Sequence, residues 1–314
     1  MRVAVTGGSG FIGSHVVDAL LAAGHHVTVL DLARPHREDV CHNPVSILDS
    51  YALTDAVVGL DAVFHLAAVA DVNDVVADPI GSIDLNVTAT LRLLEAARQG
   101  AVGRVILAST VWVYSSAAAT EGDFVDESAP LAVDAPRHIY TTSKVAAEML
   151  CHDYLNMHGL PFTILRYGIP YGPRMRFSLV IPIFVLKVLA GEPLTVAGDG
   201  SQHRKFVYVE DLARGHVLAL DERARNQTYN LDGAEKISIL RIAETVLALT
   251  GSEQAIQFVP ARAGDYEGKD VSSEKARRDL GWAPEVDFDE GMARTVPWLV
   301  ERLNEQRSAA SGTR

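Results

Sequence analysis

With 314 residues, 48% of them apolar and 22% charged, the chain has enough material for a sizeable buried core and is too apolar for a disordered protein. Its formal net charge of −12 argues against a nucleic-acid partner, since phosphate backbones need a basic footprint, and any anionic substrate must be held by local arginines against the global field. The two cysteines, Cys41 and Cys151, have neither metal nor disulfide spacing, so a reducing compartment and no metal site are expected.

In chain order, RVAVT (2–6) reads as a short buried strand, FIGSHVVDALLAAG (11–24) as a helix ended by Gly24, and HVTVLD (26–31) as a second buried strand. The alternation continues through DAVFHLA (61–67, strand), PIGSIDLNVTATLRLLEAAR (79–98, helix) and RVILAS (104–109, strand). HIYTTSKVAAEMLCHDYLNMHG (138–159) forms a long helix and PFTILR (161–166) another strand. Apolar strands alternating with amphipathic helices predict an α/β fold: a Rossmann-type, doubly wound parallel sheet covered on both faces.

After Arg166 the prolines at 170, 173 and 182 interrupt this pattern, which predicts a smaller C-terminal substrate lobe. The expected division is a dinucleotide-binding domain over 1–168, rejoined by 204–220 as a returning strand and helix, a substrate lobe over 169–300, and a tail over 301–314 that ends disordered in SAASGTR. The longest apolar stretch, LVIPIFVLKVLA (179–190), is broken by Pro182 and Lys187 and is too short to span a bilayer. A strand pattern that starts almost at once leaves no room for a signal peptide, so the cytoplasm is the expected location.

The opening TGGSGFIG (6–13) crowds four glycines into seven positions directly after a strand, more than a turn requires. Gly7, Gly10 and Gly13 recur every third residue, and Gly8, Gly10 and Gly13 satisfy GxGxxG. Absent Cβ atoms let the backbone approach a pyrophosphate, the following helix N-terminus offers free N–H groups, and Gly13 lets the helix pack on the strand. The competing reading is a glycine-rich turn without a ligand. Asp31 tells against it, because a carboxylate at the end of the second strand accepts both adenosine-ribose hydroxyls. It would also repel a 2′-phosphate, so NAD is expected rather than NADP, with nearby Arg34 keeping NADP as the lesser alternative.

YTTSK places Tyr140 and Lys144 four residues apart on one helix face. A phenol titrates near 10, so a tyrosine base at neutral pH needs its phenolate stabilised by roughly 4 kcal/mol, which a lysine ammonium and a cationic nicotinamide can provide. Taken alone, YxxxK is more often an exposed helix face. Here it follows a dinucleotide loop, and between them LASTVWVYS (107–115) ends a strand with the hydroxyls of Ser109 and Thr110.

These motifs, with HLAA (65–68), NVTATLRLLEAAR (86–98), LRYGIPYGPR (165–174), GDGSQHRKFVYVEDLA (198–213) and LGWAPEVDFDEGM (280–292), resemble the extended short-chain dehydrogenase/reductases in the group of NAD-dependent nucleotide-sugar epimerases and dehydratases. The likeness runs from Arg2 to about Trp298. It implies cofactor contacts from Gly7, Gly10, Phe11, Ile12, Gly13, Asp31, Ser46, Ile47, Leu66, Ala67, Ala68 and Asn86. It further implies that Tyr140 takes the proton of a sugar hydroxyl while the carbinol hydrogen leaves as hydride to NAD. Lys144 would hold the nicotinamide ribose and lower the Tyr140 pKa, and Thr110 would be the catalytic hydroxyl, with Ser109 as the alternative. In an epimerase the keto-sugar turns over and takes the hydride back on its other face. The resemblance also implies a homodimer joined through the helices containing Asn86–Arg98 and Tyr140–His158.

Departures from the family pattern narrow the reaction. The 4,6-dehydratases carry an acidic pair before V-Y, and the sugar-acid decarboxylases a glutamate; here Val111 and Trp112 stand instead, and neither transfers a proton. Arg204 and Arg262 match arginines that grip the substrate diphosphate, against the ordinary reading of solvated surface charge. Ile169 replaces a frequent substrate-contacting asparagine, Lys205 replaces an aspartate, and Ser46 stands in place of an adenine-contacting aspartate. Arg174 and Arg176 follow YGP, and relatives acting on uronic acids carry an arginine at the latter position; surface charge is an equal alternative for Arg176. The resulting expectation is an NAD-dependent 4-epimerase of a UDP-hexose or UDP-hexuronic acid. The alternatives are a 4-keto-sugar reductase and a non-catalytic NAD-binding regulatory protein, the latter opposed by the intact Tyr140/Lys144 pair.

Overall fold

The computed structural model describes residues 1–115, 124–131, 138–260 and 270–311, with side chains through residue 308. The chain divides into two compact units: Met1–Gly168 with Glu210–Asp232 and Lys269–Ala283, and Ile169–Val209 with Gly233–Gly268 and Pro284–Arg314.

The first unit is built on a seven-stranded sheet containing β1 (Arg2–Thr6), β2 (His26–Leu30), β3 (Cys41–Asn43), β4 (Ala62–His65), β5 (Val105–Thr110) and the strands Phe162–Tyr167 and Gln227–Leu231. Across the sheet the order is Gln227–Leu231, Phe162–Tyr167, β5, β4, β1, β2, β3, and every pairing is parallel. Parallel strands need crossovers and are covered on both faces, and accordingly every residue of β4, β5 and Phe162–Tyr167 is buried. The chain runs outward from β1 through β2 to β3 and then returns to β4 on the other side of β1. This reversal opens the crevice in which such sheets bind ligands, at the carboxyl ends of β1 and β4.

The helix expected over 79–98 is interrupted. An α-helical turn, Pro79–Ile83, is capped by the Asp78 carboxylate, a π-helical turn follows over Asp84–Thr88, and Ala89–Gln99 completes the element. The long helix Ile139–His158 ends at Gly159, whose φ of +67° is the left-handed conformation glycine adopts without strain.

The second unit holds a three-stranded sheet in the order Lys236–Ser238, His203–Tyr208, Ile169–Tyr171, a parallel pair Leu194–Ala197 and Ile256–Val259, and the helices Val180–Ala190, Ile239–Thr250 and Phe288–Ser311. Three expectations are corrected here. The strand within 204–220 does not rejoin the main sheet: His203–Tyr208 pairs with Ile169–Tyr171 and Lys236–Ser238, and only from Glu210 does the chain belong to the first unit. The seventh strand of the main sheet is instead Gln227–Leu231, whose short polar-apolar QTYNL carries little strand signal. The segment Lys269–Ala283, assigned above to the substrate lobe, belongs to the first unit, where the Trp282 indole donates to the Asp211 carbonyl at 2.8 Å. The tail is helical through Ser311, as the continuation of a helix from Phe288 whose Met292, Val296, Leu299 and Leu303 fall on one stripe and are buried.

Candidate active site

The glycine loop sits at the sheet reversal. Thr6 and His65 are register partners at the ends of β1 and β4, and the loops that follow them lie in contact. A Cβ on Gly7, which has φ +69°, would lie 2.7 Å from the Ala67 nitrogen, and one on Gly13 would lie 2.0 Å from the Gly7 carbonyl oxygen. No side chain fits at either place. Gly10 caps the helix Phe11–Ala22 with no side-chain hydrogen bond, so the N–H groups of Phe11, Ile12 and Gly13 open the helix without intrahelical acceptors and with the positive end of its dipole.

Asp31 follows β2 with its carboxylate already oriented. Oδ2 accepts from the Ser9 N–H at 3.1 Å and Oδ1 from the Ala33 N–H at 3.0 Å, while its carbonyl meets the His42 ring at 2.8 Å. The half-buried Ser46 accepts the Leu48 N–H on its hydroxyl, and Ile47 is buried in the core. Leu66, Ala67 and Ala68 are half-buried and line the loop after β4, where the Leu66 N–H is bound to the Thr6 carbonyl at 3.2 Å.

A buried hydrogen-bond chain, which sequence reading missed, fixes the two sides of this crevice. The Ala67 N–H donates to Thr6 Oγ1 at 3.3 Å, and that hydroxyl meets His65 Nδ1 at 2.8 Å. His65 Nε2 lies 3.0 Å from Thr90 Oγ1, whose proton goes to the Asn86 carbonyl at 2.7 Å. Since the Thr90 proton is committed, Nε2 is the protonated ring nitrogen and Nδ1 accepts from Thr6. Burial, together with the nearby Lys144 charge, pushes the His65 pKa down to about 3, so the ring is neutral. Asn86, on the π-helical turn, binds the Val69 backbone in both directions, at 2.8 and 2.9 Å, and donates to Ser143 Oγ at 3.0 Å. The Ser143 hydroxyl donates to the Tyr140 carbonyl at 2.8 Å, so the network ends on the YTTSK turn. The only signals for it in the sequence were polar residues inside otherwise apolar segments.

Lys144 is 7% exposed and its ammonium donates to the Ala108 carbonyl at 3.0 Å; burial lowers its pKa to about 8, opposed by the Glu148 carboxylate. Thr110 ends β5 and caps the short 3₁₀ turn Val111–Tyr114 by accepting the Trp112 N–H at 3.2 Å. The Ser109 hydroxyl faces away from that turn and donates to buried Glu148. Tyr140 is half-buried among aromatic rings, edge-on to Trp112 at 6.1 Å and stacked on His138 at 6.2 Å. His138 also caps the helix through Nδ1, and burial lowers its pKa.

Of the expected substrate residues, Thr110 ends β5 in the first unit, and the others lie in the second unit or outside the described residues. Ile169 is half-buried opposite Phe206, Arg204 is half-buried with Nη1 on the His203 carbonyl at 2.8 Å, and Arg176 is exposed. Arg174 adopts φ +67°, and Lys205 pairs in register with Lys236. Arg262 lies outside the described residues. Among the described residues, no group of three or more His, Cys, Asp or Glu is placed to hold a metal ion. A loop that excludes Cβ atoms, N–H groups at a helix start and a fixed carboxylate at the sheet reversal together form a donor set that fits a dinucleotide.

Comparison with known proteins agrees with this geometry. The family model described as "NAD dependent epimerase/dehydratase family" matches residues 3–232. A UDP-N-acetyl-alpha-D-glucosaminuronate decarboxylase of Bacillus cytotoxicus is 33% identical over 321 residues, covering 97% of this chain and 99% of that protein. The structure of UDP-glucose 4-epimerase from Thermotoga maritima with UDP-glucose superposes with a TM-score of 0.87 at 30% identity, covering 96% of this chain and 100% of that one. That of Thermus thermophilus UDP-glucose 4-epimerase with NAD gives 0.84 at 36% identity, covering 95% and 99%. Relatives also include dTDP-glucose 4,6-dehydratases and a UDP-glucuronate 4-epimerase. The chain therefore belongs to the NAD-dependent epimerase/dehydratase family, extended short-chain dehydrogenase/reductases that act on nucleotide sugars, and its cofactor is NAD.

Proposed function

We propose that this protein is a nucleotide-sugar 4-epimerase acting on a UDP-hexose or UDP-hexuronic acid. One observation supports this reading over the dehydratases and decarboxylases of the family: the turn after Thr110 carries Val111 and Trp112, of which Val111 is buried and Trp112 lies edge-on to Tyr140. Elimination of water at C5–C6 needs an acid and a base beside the sugar, and these side chains can be neither.

Bound NAD supplies the hydride acceptor and the donor for its return. Tyr140 removes the proton from the C4 hydroxyl and later gives it back, and Thr110 orients that hydroxyl; the buried Ser109 is the weaker candidate for this role. Lys144 holds a positive charge beside the phenol. The glycine loop, Phe11, Ile12 and Asp31 hold the cofactor, and Arg204, Arg262, Ile169 and Arg176 bind the nucleotide sugar. Rotation of the keto-sugar between the two transfers requires a site that grips the diphosphate and leaves the ring free, for which guanidinium forks are suited.

The test is incubation of the NAD-loaded protein with UDP-glucose, UDP-glucuronate and dTDP-glucose, followed by NMR of the products. The expected product is the C4 epimer of one UDP-sugar with no net NADH. A 4-keto-6-deoxy sugar, a pentose with release of carbon dioxide, or stoichiometric consumption of added NADH would overturn the reading.

A further inference from the structure

The last residues of β5 are each held by a different partner. The Ala108 carbonyl accepts from Lys144, the Ser109 hydroxyl donates to Glu148, and Thr110 caps the turn that follows. Glu148 lies one helical turn beyond Lys144 on the same face of Ile139–His158. It is paired with Arg166: Nε donates to Oε1 at 3.0 Å and Nη2 to Oε2 at 2.5 Å, with side chains 4% and 7% exposed. Arg166 is the register partner of Ser109 on the neighbouring strand, and its Nη1 donates to the Tyr114 hydroxyl at 2.6 Å, which in turn donates to Asn230 at 3.0 Å.

An ion pair buried this deeply adds little net stability over well-packed apolar side chains, so stability alone does not account for it. Its position does. The pair lies behind the strand end that carries Thr110 and one turn from Lys144. We propose that Glu148, backed by Arg166, is a positioning residue for the reaction: it clamps the Ser109–Thr110 end of β5 to the YTTSK helix and provides the negative charge that keeps Lys144 an ammonium. This rests on the assignment of Thr110, Tyr140 and Lys144 to the chemistry.

Among the described residues, the ionisable groups around the Lys144–Glu148 pair include Tyr140 and buried Cys151 on the same helix, neutral His65 on β4, Arg166, which is paired with Glu148, and Tyr167 on the strand beside β5. Of these, Glu148 is the group whose negative charge raises the Lys144 pKa against burial. A lysine titrating near 8 is about one-tenth deprotonated at pH 7 and about half deprotonated one unit higher, so a lost negative neighbour would cost it much of its charge within the physiological range.

The test uses full-length protein. The Lys144 side chain is titrated by 15N NMR without substrate, its signal assigned by loss in Lys144→Arg, and the pH profile of kcat/KM is measured on UDP-glucose or UDP-glucuronate, whichever wild type turns over. Glu148→Gln keeps the shape and the Ser109 contact. It is expected to lower the Lys144 midpoint by about one pH unit, to move the alkaline limb of the profile down with it, and to leave KM within about twofold. Arg166→Gln removes the cation paired with Glu148 and is expected to shift both midpoints together, so it carries the test if Glu148→Gln does not fold. A purely structural role lowers activity in both variants without moving either midpoint, and that result would overturn the proposal. Tyr140→Phe separates the premises. Full turnover there removes the catalytic assignment itself, whereas an inactive Tyr140→Phe with unmoved Lys144 midpoints removes only the role of Glu148.

Discussion

The Ser9 N–H in the glycine loop donates to Asp31 Oδ2 at 3.1 Å, so the loop proposed to take the pyrophosphate and the carboxylate proposed to take the ribose are tied directly to each other. The second carboxylate oxygen is held by the Ala33 N–H, and each oxygen keeps lone pairs for a sugar hydroxyl. Asp31→Ala is therefore expected to weaken NAD binding by ~2–4 kcal/mol, from the lost charge-assisted hydrogen bonds and the loosened loop, and to narrow the gap to NADP. Calorimetric titration with both cofactors checks this; equal affinities in variant and wild type would assign ribose recognition elsewhere.

Gly13→Ala tests the loop from its other side. Its Cβ would lie 2.0 Å from the Gly7 carbonyl oxygen, a backbone atom that moves only if the loop or the helix start moves. The expected result is a loss of roughly 1–3 kcal/mol in stability, as for other overpacked sites, together with loss of NAD binding. Thermal unfolding with and without NAD would show a lower Tm and no stabilisation by the cofactor.

For Tyr140→Phe the expected outcome is a folded, NAD-binding protein without turnover, because only the phenolic oxygen is removed and the rings of Trp112 and His138 still pack against the ring. Wild-type rates in this variant would exclude Tyr140 as the base.

Arg176 is the residue proposed to separate the two substrate classes. It is exposed, and a bidentate guanidinium would offset the desolvation of a C6 carboxylate while contributing little to a neutral hydroxymethyl group. Arg176→Ala is expected to cost a uronic-acid substrate ~2–4 kcal/mol in kcat/KM and to spare a neutral hexose. Equal losses on UDP-glucuronate and UDP-glucose would make it a general contact, and no loss on either would favour the neutral hexose.

A homodimer is expected through the helices Ala89–Gln99 and Ile139–His158, which leave Leu91, Met149 and Met157 exposed at 41%, 57% and 71%. Light scattering at micromolar concentration should give twice the mass of the 33.9 kDa chain. Replacing Leu91 and Met149 by glutamate should return the monomer with its fold intact.

The features legible in the sequence alone were those set by local backbone geometry. Glycines at three-residue spacing, a tyrosine and lysine four apart, and an acid at the end of a strand are each constrained by one loop, one helix face or one strand end, so their spacing survives in any arrangement of the rest. Tertiary structure decided what depends on register between distant segments. Ser109 and Thr110 are adjacent hydroxyls that spacing could not separate, and they part only because Ser109 lies opposite Arg166 and beside Glu148. His65 is one polar residue in an apolar strand until Thr6 and Thr90 close on its two ring nitrogens and set its tautomer, while burial keeps it neutral. QTYNL joins the main sheet, and FVY does not, because strand membership is settled by the neighbouring edge available for pairing, which five residues of sequence do not encode.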